Sequence, residues 1–463
     1  MSDEIQLFSS VPRKKPRREQ RERARDSTRH RARADAEPNE PNEPNERTEG
    51  DLDDLDDLDD LGFPQLGVSE HLCSVLGALG IVEPTAVQRG CIPAIMKGRN
   101  VIGIAQTGSG KTAAFALPVL HALARNPYGV FNLVLTPTRE LAFQIADQYK
   151  AFGAGQNVRV SVVVGGLDGQ EQAKQLERRP HVVIATPGRL KALIDGNATV
   201  ASAFKRTAFL ILDEADRLLD ESFEEDLGTI LECLPVMRQT LLFSATMTRA
   251  LVTLQKELLE DAYVFEAYEG LQTASGLRET VTVVPAKVKE VYLTYLLRNL
   301  EEYEVRSVMV FSGTRKACEN LVLLLEELEI PVTALHSGLA QRERMASLDR
   351  FKGGRVNILV CTDVGSRGLD IPEVDLVVNF DLPKLPEDYV HRVGRTARAG
   401  RSGWSLSFAS QYDVELLKAI ESETNRRMEE FKFDEAKVLK LLSNVYTARR
   451  VKEISRAKKK VKK

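Results

Sequence analysis

The sequence predicts an α/β protein of two tandem domains, each a parallel sheet covered by helices, flanked by charged tails. Three observations lead there. Short apolar runs alternate with helical stretches at residues 101–104, 133–135, 160–164, 181–185, 209–212 and 240–243, and again at 308–311, 332–335, 357–360, 376–378 and 405–408. Runs that are apolar on successive positions suit parallel strands buried on both faces. A chain of 463 residues exceeds what one core sustains, so two folded units are expected. Between the two series, residues 267–282 (AYEGLQTASGLRETVT) are polar and glycine-bearing, as a connection between domains should be.

Taken in order, residues 1–60 read as a disordered tail. A basic block, residues 13–33, is followed by a Pro-Asn-Glu repeat at 38–46 and a Leu-Asp-Asp repeat at 51–61. Neither repeat buries enough apolar surface to offset chain entropy. The basic block reads as a nuclear-localisation or RNA-contacting arm, or as a merely solvated tail. A first domain is expected over 61–269, a linker over 270–282, a second domain over 283–427, and a helical extension with a basic tail over 428–463. Hydrophobic content of 43% and charged content of 28% suit a globular protein. The five cysteines are scattered without CxxC pairing, which argues against a disulfide framework or zinc site and favours a reducing compartment. No apolar run approaches the ~20 residues of a membrane span.

Chemistry concentrates first at Ala105-Gln106-Thr107-Gly108-Ser109-Gly110-Lys111-Thr112, between an apolar run and a helical stretch. Strand, glycine-bearing loop and helix make a setting in which backbone N–H groups cradle phosphate oxygens. Gly108 and Gly110 permit a tight turn with φ > 0. Lys111 can reach β- and γ-phosphates, and the Thr112 hydroxyl can ligate Mg²⁺. The run at 209–212 then ends in Asp213-Glu214-Ala215-Asp216. Carboxylates at the carboxyl edge of a parallel sheet lie beside such a loop. Asp213 is the Mg²⁺-side carboxylate, acting through water, and Glu214 the base or orienter for an attacking water. Capping of the following helix competes as an explanation, in part for Asp216.

These residues, with Ser244-Ala245-Thr246 and His391-Arg392-Val393-Gly394-Arg395-Thr396-Ala397-Arg398, resemble the DEAD-box ATP-dependent RNA helicases, over about residues 61–427 and in the family's motif order. The resemblance implies two RecA-like domains, with ATP and Mg as cofactors and RNA as partner. Residues 80–88 with Phe63 resemble the family's adenine-reading element. Thr85 and Gln88 belong to it, and the Gln88 amide offers the donor and acceptor that adenine needs. Phe63 stacks on the base in this reading, or is a plain core residue.

Pro137-Thr138-Arg139-Glu140, Gly165-Gly166 and Thr186-Pro187-Gly188-Arg189 each follow a strand and resemble the family's RNA-contacting loops. The resemblance assigns RNA contacts to Thr138, Arg139, Gly166, Thr186 and Arg189, and in the second domain to Gly338, Gln341, Arg344 and Thr362. Such contacts position a strand without reading its sequence. Gly368 and Asp370 face the nucleotide in relatives. Ser244, Thr246, Asp216 and His391 couple hydrolysis to strand separation. Arg395 and Arg398 match arginines that reach across to the γ-phosphate, a task suited to a planar, permanently charged fork.

The implied activity is RNA-stimulated ATP hydrolysis with local duplex opening. Competing readings are a nonenzymatic ATP-gated RNA clamp, opposed by intact catalytic positions, and a DNA helicase, opposed by Asp216 and the 391–398 motif. Pro127-Tyr128-Gly129-Val130-Phe131, Ala399-Gly400-Arg401 and the C-terminal extension resemble the nucleolar subgroup acting on pre-rRNA in small ribosomal subunit maturation. That implies a nuclear, nucleolar location and pre-ribosomal protein partners. A helicase of messenger RNA processing or translation is the alternative.

Overall fold

The computed structural model describes residues 61–106, 108–259, 261–267, 273, 276–363, 371–397 and 402–461. The N-terminal tail expected over 1–60 lies outside them.

The first sheet is built from β1 (Val101–Ile104), β2 (Asn132–Leu135), β3 (Val160–Val163), β4 (Val182–Ala185), β5 (Phe209–Asp213), β6 (Gln239–Ser244) and β7 (Tyr263–Glu266). Its order is β3-β4-β2-β5-β6-β1-β7, with every pairing parallel. The second sheet comprises β8 (Leu277–Val283), β9 (Val308–Phe311), β10 (Thr333–Leu335), β11 (Ile358–Cys361), β12 (Leu376–Asn379), β13 (Gly403–Ala409) and β14 (Glu429–Glu430). It runs β10-β11-β9-β12-β13-β8-β14, also parallel throughout. Replacing each strand number in the first order by that number plus seven reproduces the second, so one topology is built twice.

Burial explains why the central strands are mostly apolar on successive positions. Ile102, Leu133, Val183, Leu210 and Leu242 enter the core on one face of the first sheet. Their neighbours Val101, Val134, Val182, Ile211 and Leu241 enter the core on the other. Parallel strands need crossover connections, so successive strand ends gather at one edge, where the glycine loop and acidic turn emerge.

The two domains differ where β1 and β8 lead into their helices. Lys111 begins the Lys111–Arg125 helix after β1, and Lys289 begins the Lys289–Arg298 helix after β8. No glycine lies between Val283 and Lys289. Lys289 is buried; its Nζ donates to the Phe408 and Phe380 carbonyls (2.9 and 3.3 Å) and to Asp413 Oδ2 (3.2 Å). Protein groups thus engage the ammonium that, at the corresponding helix start of the first domain, is placed for phosphate.

Two expected boundaries shift. The linker reading of 270–282 is corrected, because β8 spans Leu277–Val283 between β13 and β14. Its polar residues are buried and satisfied: the Trp404 indole donates to Thr280 Oγ1 (2.8 Å), which donates to the Ser405 carbonyl (2.7 Å). The second folded unit also continues past residue 427. Phe433 packs edge-on against Tyr292 and Tyr295, and Val438, Val445 and Ala448 of the helical extension join the second core.

Candidate active site

The glycine loop leaves β1 at Ala105, whose N–H donates to the Ser244 carbonyl at 3.0 Å. Gly108 and Gly110 have φ of 87° and 92°, a region that side chains with Cβ rarely adopt. At Gly110 space matters too, since a Cβ would lie 2.3 Å from Gln88 Nε2. Gln88 is buried; its Nε2 donates to the Gly110 carbonyl (3.1 Å), and its Oε1 accepts the Thr85 N–H (3.0 Å), capping the Ala86–Met96 helix. One N–H and one lone pair of the amide remain, the pair that adenine would use. Lys111 Nζ donates to the carbonyls of Ala105 and of Gln106. Burial lowers its pKa; Asp213, Glu214 and Asp216 oppose that, while Arg395 of the second domain reinforces it. Gln106, Ser109 and Thr112 line the same turn, and Thr107 lies outside the described residues.

Phe63 is 3% exposed and clustered with Leu66, Val68 and Leu72, which gives it a core role whether or not it also meets the base.

The acidic turn closes the other side. Asp213 ends β5 at 4% exposure, and its Oδ1 accepts the Glu214 N–H at 3.2 Å. Burial pushes its pKa up to about 6, against the opposing pull of Lys111 and of that N–H. Glu214 adopts the left-handed region (φ 54°, ψ 51°), where a non-glycine residue is strained by roughly 1–3 kcal/mol, as happens at functional turns. Asp216 Oδ2 accepts the Thr246 hydroxyl (3.3 Å) and faces His391 Nε2 of the second domain at 3.1 Å. Ser244 does not reach the acidic turn. Its hydroxyl donates to the Thr246 carbonyl and accepts the Thr246 N–H, so it shapes its own loop.

The raised Asp213 pKa carries a stability consequence. A fold that favours the neutral acid gains fully below the unfolded value near 4, and loses that gain as pH rises through about 6. Asp213→Asn is expected to stabilise the ligand-free protein at pH 7.5 by up to about 3 kcal/mol. Thermal midpoints at pH 7.5 and pH 5 check this, and an equal gain at both would contradict it.

From the second domain, the Pro386–Val393 helix delivers His391 and Arg392, both buried, with Arg395 in the turn beyond. Arg392 Nε donates to Asp363 Oδ1 (2.6 Å), and Nη1 donates to the Asp381 carbonyl (2.7 Å) and Asn379 Oδ1 (3.3 Å). Its guanidinium lies 5.2 Å from the centre of the Phe311 ring. Sequence reasoning gave Arg392 no role, although it ties together the ends of β9, β11 and β12. Arg398, Gly368 and Asp370 lie outside the described residues.

Along the edge assigned to RNA, the Arg139 guanidinium lies against Gly165-Gly166. A Cβ at Gly166 (φ 84°) would meet Arg139 Nη1 at 2.6 Å. Arg189 Nη2 donates to the Leu167 carbonyl at 3.1 Å. Thr138 caps the Arg139–Phe152 helix by accepting the Leu141 N–H, and Thr186 precedes the Pro187–Gly196 helix. Gly338 donates its N–H to His336 Nδ1, and the Thr362 N–H donates to the Leu335 carbonyl.

Gln341 and Arg344, which the resemblance assigns to RNA, also bond across the two domains. Both are buried and donate across the domain seam to Glu140, at 2.9 Å from Gln341 Nε2 and 2.5 Å from Arg344 Nη2. Their polar groups serve closure in this structure, so Glu140 is a residue that sequence reasoning overlooked. Removing one partner of a buried pair costs about 3–5 kcal/mol. Glu140→Ala is therefore expected to weaken RNA binding in the presence of a nonhydrolysable ATP analogue by about 10²-fold or more. Fluorescence anisotropy checks it; RNA affinity without nucleotide should change little.

Known proteins show the same organisation. Residues 85–254 match the DEAD/DEAH box helicase family, and residues 289–400 match the helicase conserved C-terminal domain. The DEAD-box ATP-dependent RNA helicase 36 of Arabidopsis thaliana is 53% identical over 369 residues, 80% of this chain and 75% of that protein. The probable ATP-dependent RNA helicase DDX49 of Homo sapiens is 47% identical over 397 residues, 85% of this chain and 82% of that protein. The structure of S. cerevisiae Dbp5 bound to RNA and ADP BeF3 is similar with a TM-score of 0.74 at 28% identity, over 83% of this chain and 99% of that one. A phosphate loop, an acidic turn and an arginine-bearing helix brought together across two sheets of one topology, with family matches spanning more than half the chain, establish that this protein belongs to the DEAD-box ATP-dependent RNA helicases.

Proposed function

We propose that this helicase remodels pre-ribosomal RNA during small ribosomal subunit maturation in the nucleolus, with pre-ribosomal protein factors directing it, and that domain closure gates its chemistry. The observation that carries the gating is the Asp216 carboxylate, which receives Thr246 from one domain and His391 from the other.

In this reading the loop N–H groups and Lys111 hold the phosphates, while Gln88 reads adenine with its remaining N–H and lone pair. The Thr112 hydroxyl and Asp213 carboxylate are hard oxygen donors that suit Mg²⁺. Among the described residues no group of three or more His, Cys, Asp or Glu could hold an ion unaided, which fits a cation carried largely by phosphates and water. When bound with ATP, Mg²⁺ would neutralise phosphate charge. Its presence would also favour the ionised Asp213 that burial opposes.

Glu214 orients the attacking water and takes its proton, and Arg395 with Arg398 meets charge developing on the γ-phosphate. RNA bridging Thr138, Arg139, Gly166, Thr186 and Arg189 on one domain, and Gly338, Gln341, Arg344 and Thr362 on the other, would favour closure. ATP and RNA should then each raise affinity for the other by one common factor. A strand held in the closed clamp excludes its complement, and phosphate release reopens the domains.

The ribosomal assignment is supported by the resemblance of residues 127–131, 399–401 and the C-terminal extension to the nucleolar subgroup. Crosslinking in cells with sequencing of the bound RNA tests it. Pre-ribosomal RNA is the expected recovery, and messenger RNA without pre-ribosomal RNA would overturn the assignment.

A further inference from the structure

Within the stretch that reads as a plain connection, one buried carboxylate touches both the interdomain segment and the helix that precedes Arg395. Glu279, on β8, is 7% exposed. Its Oε1 accepts the Thr273 hydroxyl at 2.5 Å and lies 3.4 Å from Arg426 Nη1. Its Oε2 accepts the Tyr389 hydroxyl at 2.7 Å. Thr273, itself buried, belongs to the segment between β7 and β8 that joins the domains. Tyr389 is fully buried in the Pro386–Val393 helix, two residues before His391 and six before Arg395.

A buried carboxylate is costly unless its lone pairs are filled. Sheet formation alone gives no reason for one here, because a β-branched apolar residue would serve the strand better. Its hydrogen-bond partners explain its presence. They come from the interdomain segment, the His391 helix and the polypeptide beyond the second domain's 414–423 helix. The Tyr389 hydroxyl also lies 3.4 Å from Ser405 Oγ on β13, which fixes the phenol from a second side.

We propose that Glu279 is a positioning residue that ties Thr273 to the helix carrying His391, so that this contact governs how Arg395 meets the nucleotide. This rests on the reading of Arg395 as a γ-phosphate arginine. Glu279 touches no substrate; it acts through Tyr389. The Thr273 contact is where a change in the segment would enter, and the Tyr389 contact is where it would leave.

The test uses the full chain carrying Thr273→Val, Thr273→Ser, Tyr389→Phe, Glu279→Ala, and the Thr273→Val/Glu279→Ala double variant. RNA-stimulated kcat, KM for ATP and the thermal midpoint are measured for each. Thr273→Val is expected to lower kcat about fivefold to tenfold with KM unchanged, a coupling of the usual size between linked positions, while the midpoint falls only by what one lost buried hydrogen bond costs. Thr273→Ser restores the rate, Tyr389→Phe behaves like Thr273→Val, and Thr273→Val adds nothing further on Glu279→Ala. Native kcat in Thr273→Val, loss that follows the midpoint, or additivity in the double variant would overturn the proposal. Arg395→Lys, assayed alongside, separates the two readings. Full activity there removes the underlying role of Arg395, whereas an inactive Arg395→Lys with a normal Thr273→Val removes only the role of Glu279.

Discussion

Arg395→Lys lowers RNA-stimulated ATP turnover by about 10³-fold or more while leaving ATP affinity within a few-fold, the scale on which an arginine reaching a transferring phosphate acts. The expectation rests on placement. Arg395 is 1% exposed, and its charge acts on Lys111 of the opposite domain, so the guanidinium already belongs to the field of the phosphate loop. Lysine keeps the charge but loses the planar fork that pairs with two phosphate oxygens at once. Single-turnover hydrolysis with saturating RNA measures the loss directly, free of product release. A variant within threefold of the native rate would show that the contact is merely structural.

Glu214→Gln should cut multiple-turnover hydrolysis by about 10²- to 10⁴-fold, the usual contribution of a positioned base. The substitution is nearly isosteric and keeps the same left-handed backbone demand, so the turn itself should persist. Binding and closure use other groups: Asp216 with His391, and Glu140 with Arg344 and Gln341. The variant should therefore still clamp RNA in the presence of ATP, and release it far more slowly than the native protein does. Phosphate release paired with RNA dissociation kinetics reads both effects. Undiminished turnover would point to another base.

Central strands were legible because full burial on both faces makes them mostly apolar, and β1, β2, β4, β9, β11 and β12 are buried at every position, with Asn132 and Asn379 the polar exceptions among them. β7 and β14 escaped notice because edge strands carry half-exposed or exposed residues and lack the continuous apolar signature. β8 was hidden for a different reason. Its Glu279 and Thr280 look like linker residues until partners distant in sequence, Tyr389 and Trp404, satisfy them. The phosphate loop and acidic turn were readable because their chemistry is local. The Glu140 cluster was not, since its partners are 201 and 204 residues away and local pattern says nothing of them. Phe63 and Arg392 make the same point, because neither burial nor exposure of a single aromatic or arginine is visible in local sequence.

The self-satisfied Lys289 has a consequence for stoichiometry and for division of labour. Two halves of identical strand order could each have carried a nucleotide, but the ammonium that would greet a second one is committed to Asp413 and two carbonyls. Equilibrium binding should accordingly saturate at one ATP per chain. The duplicated fold thus becomes an unequal pair, in which the second half ties its lysine to its own protein.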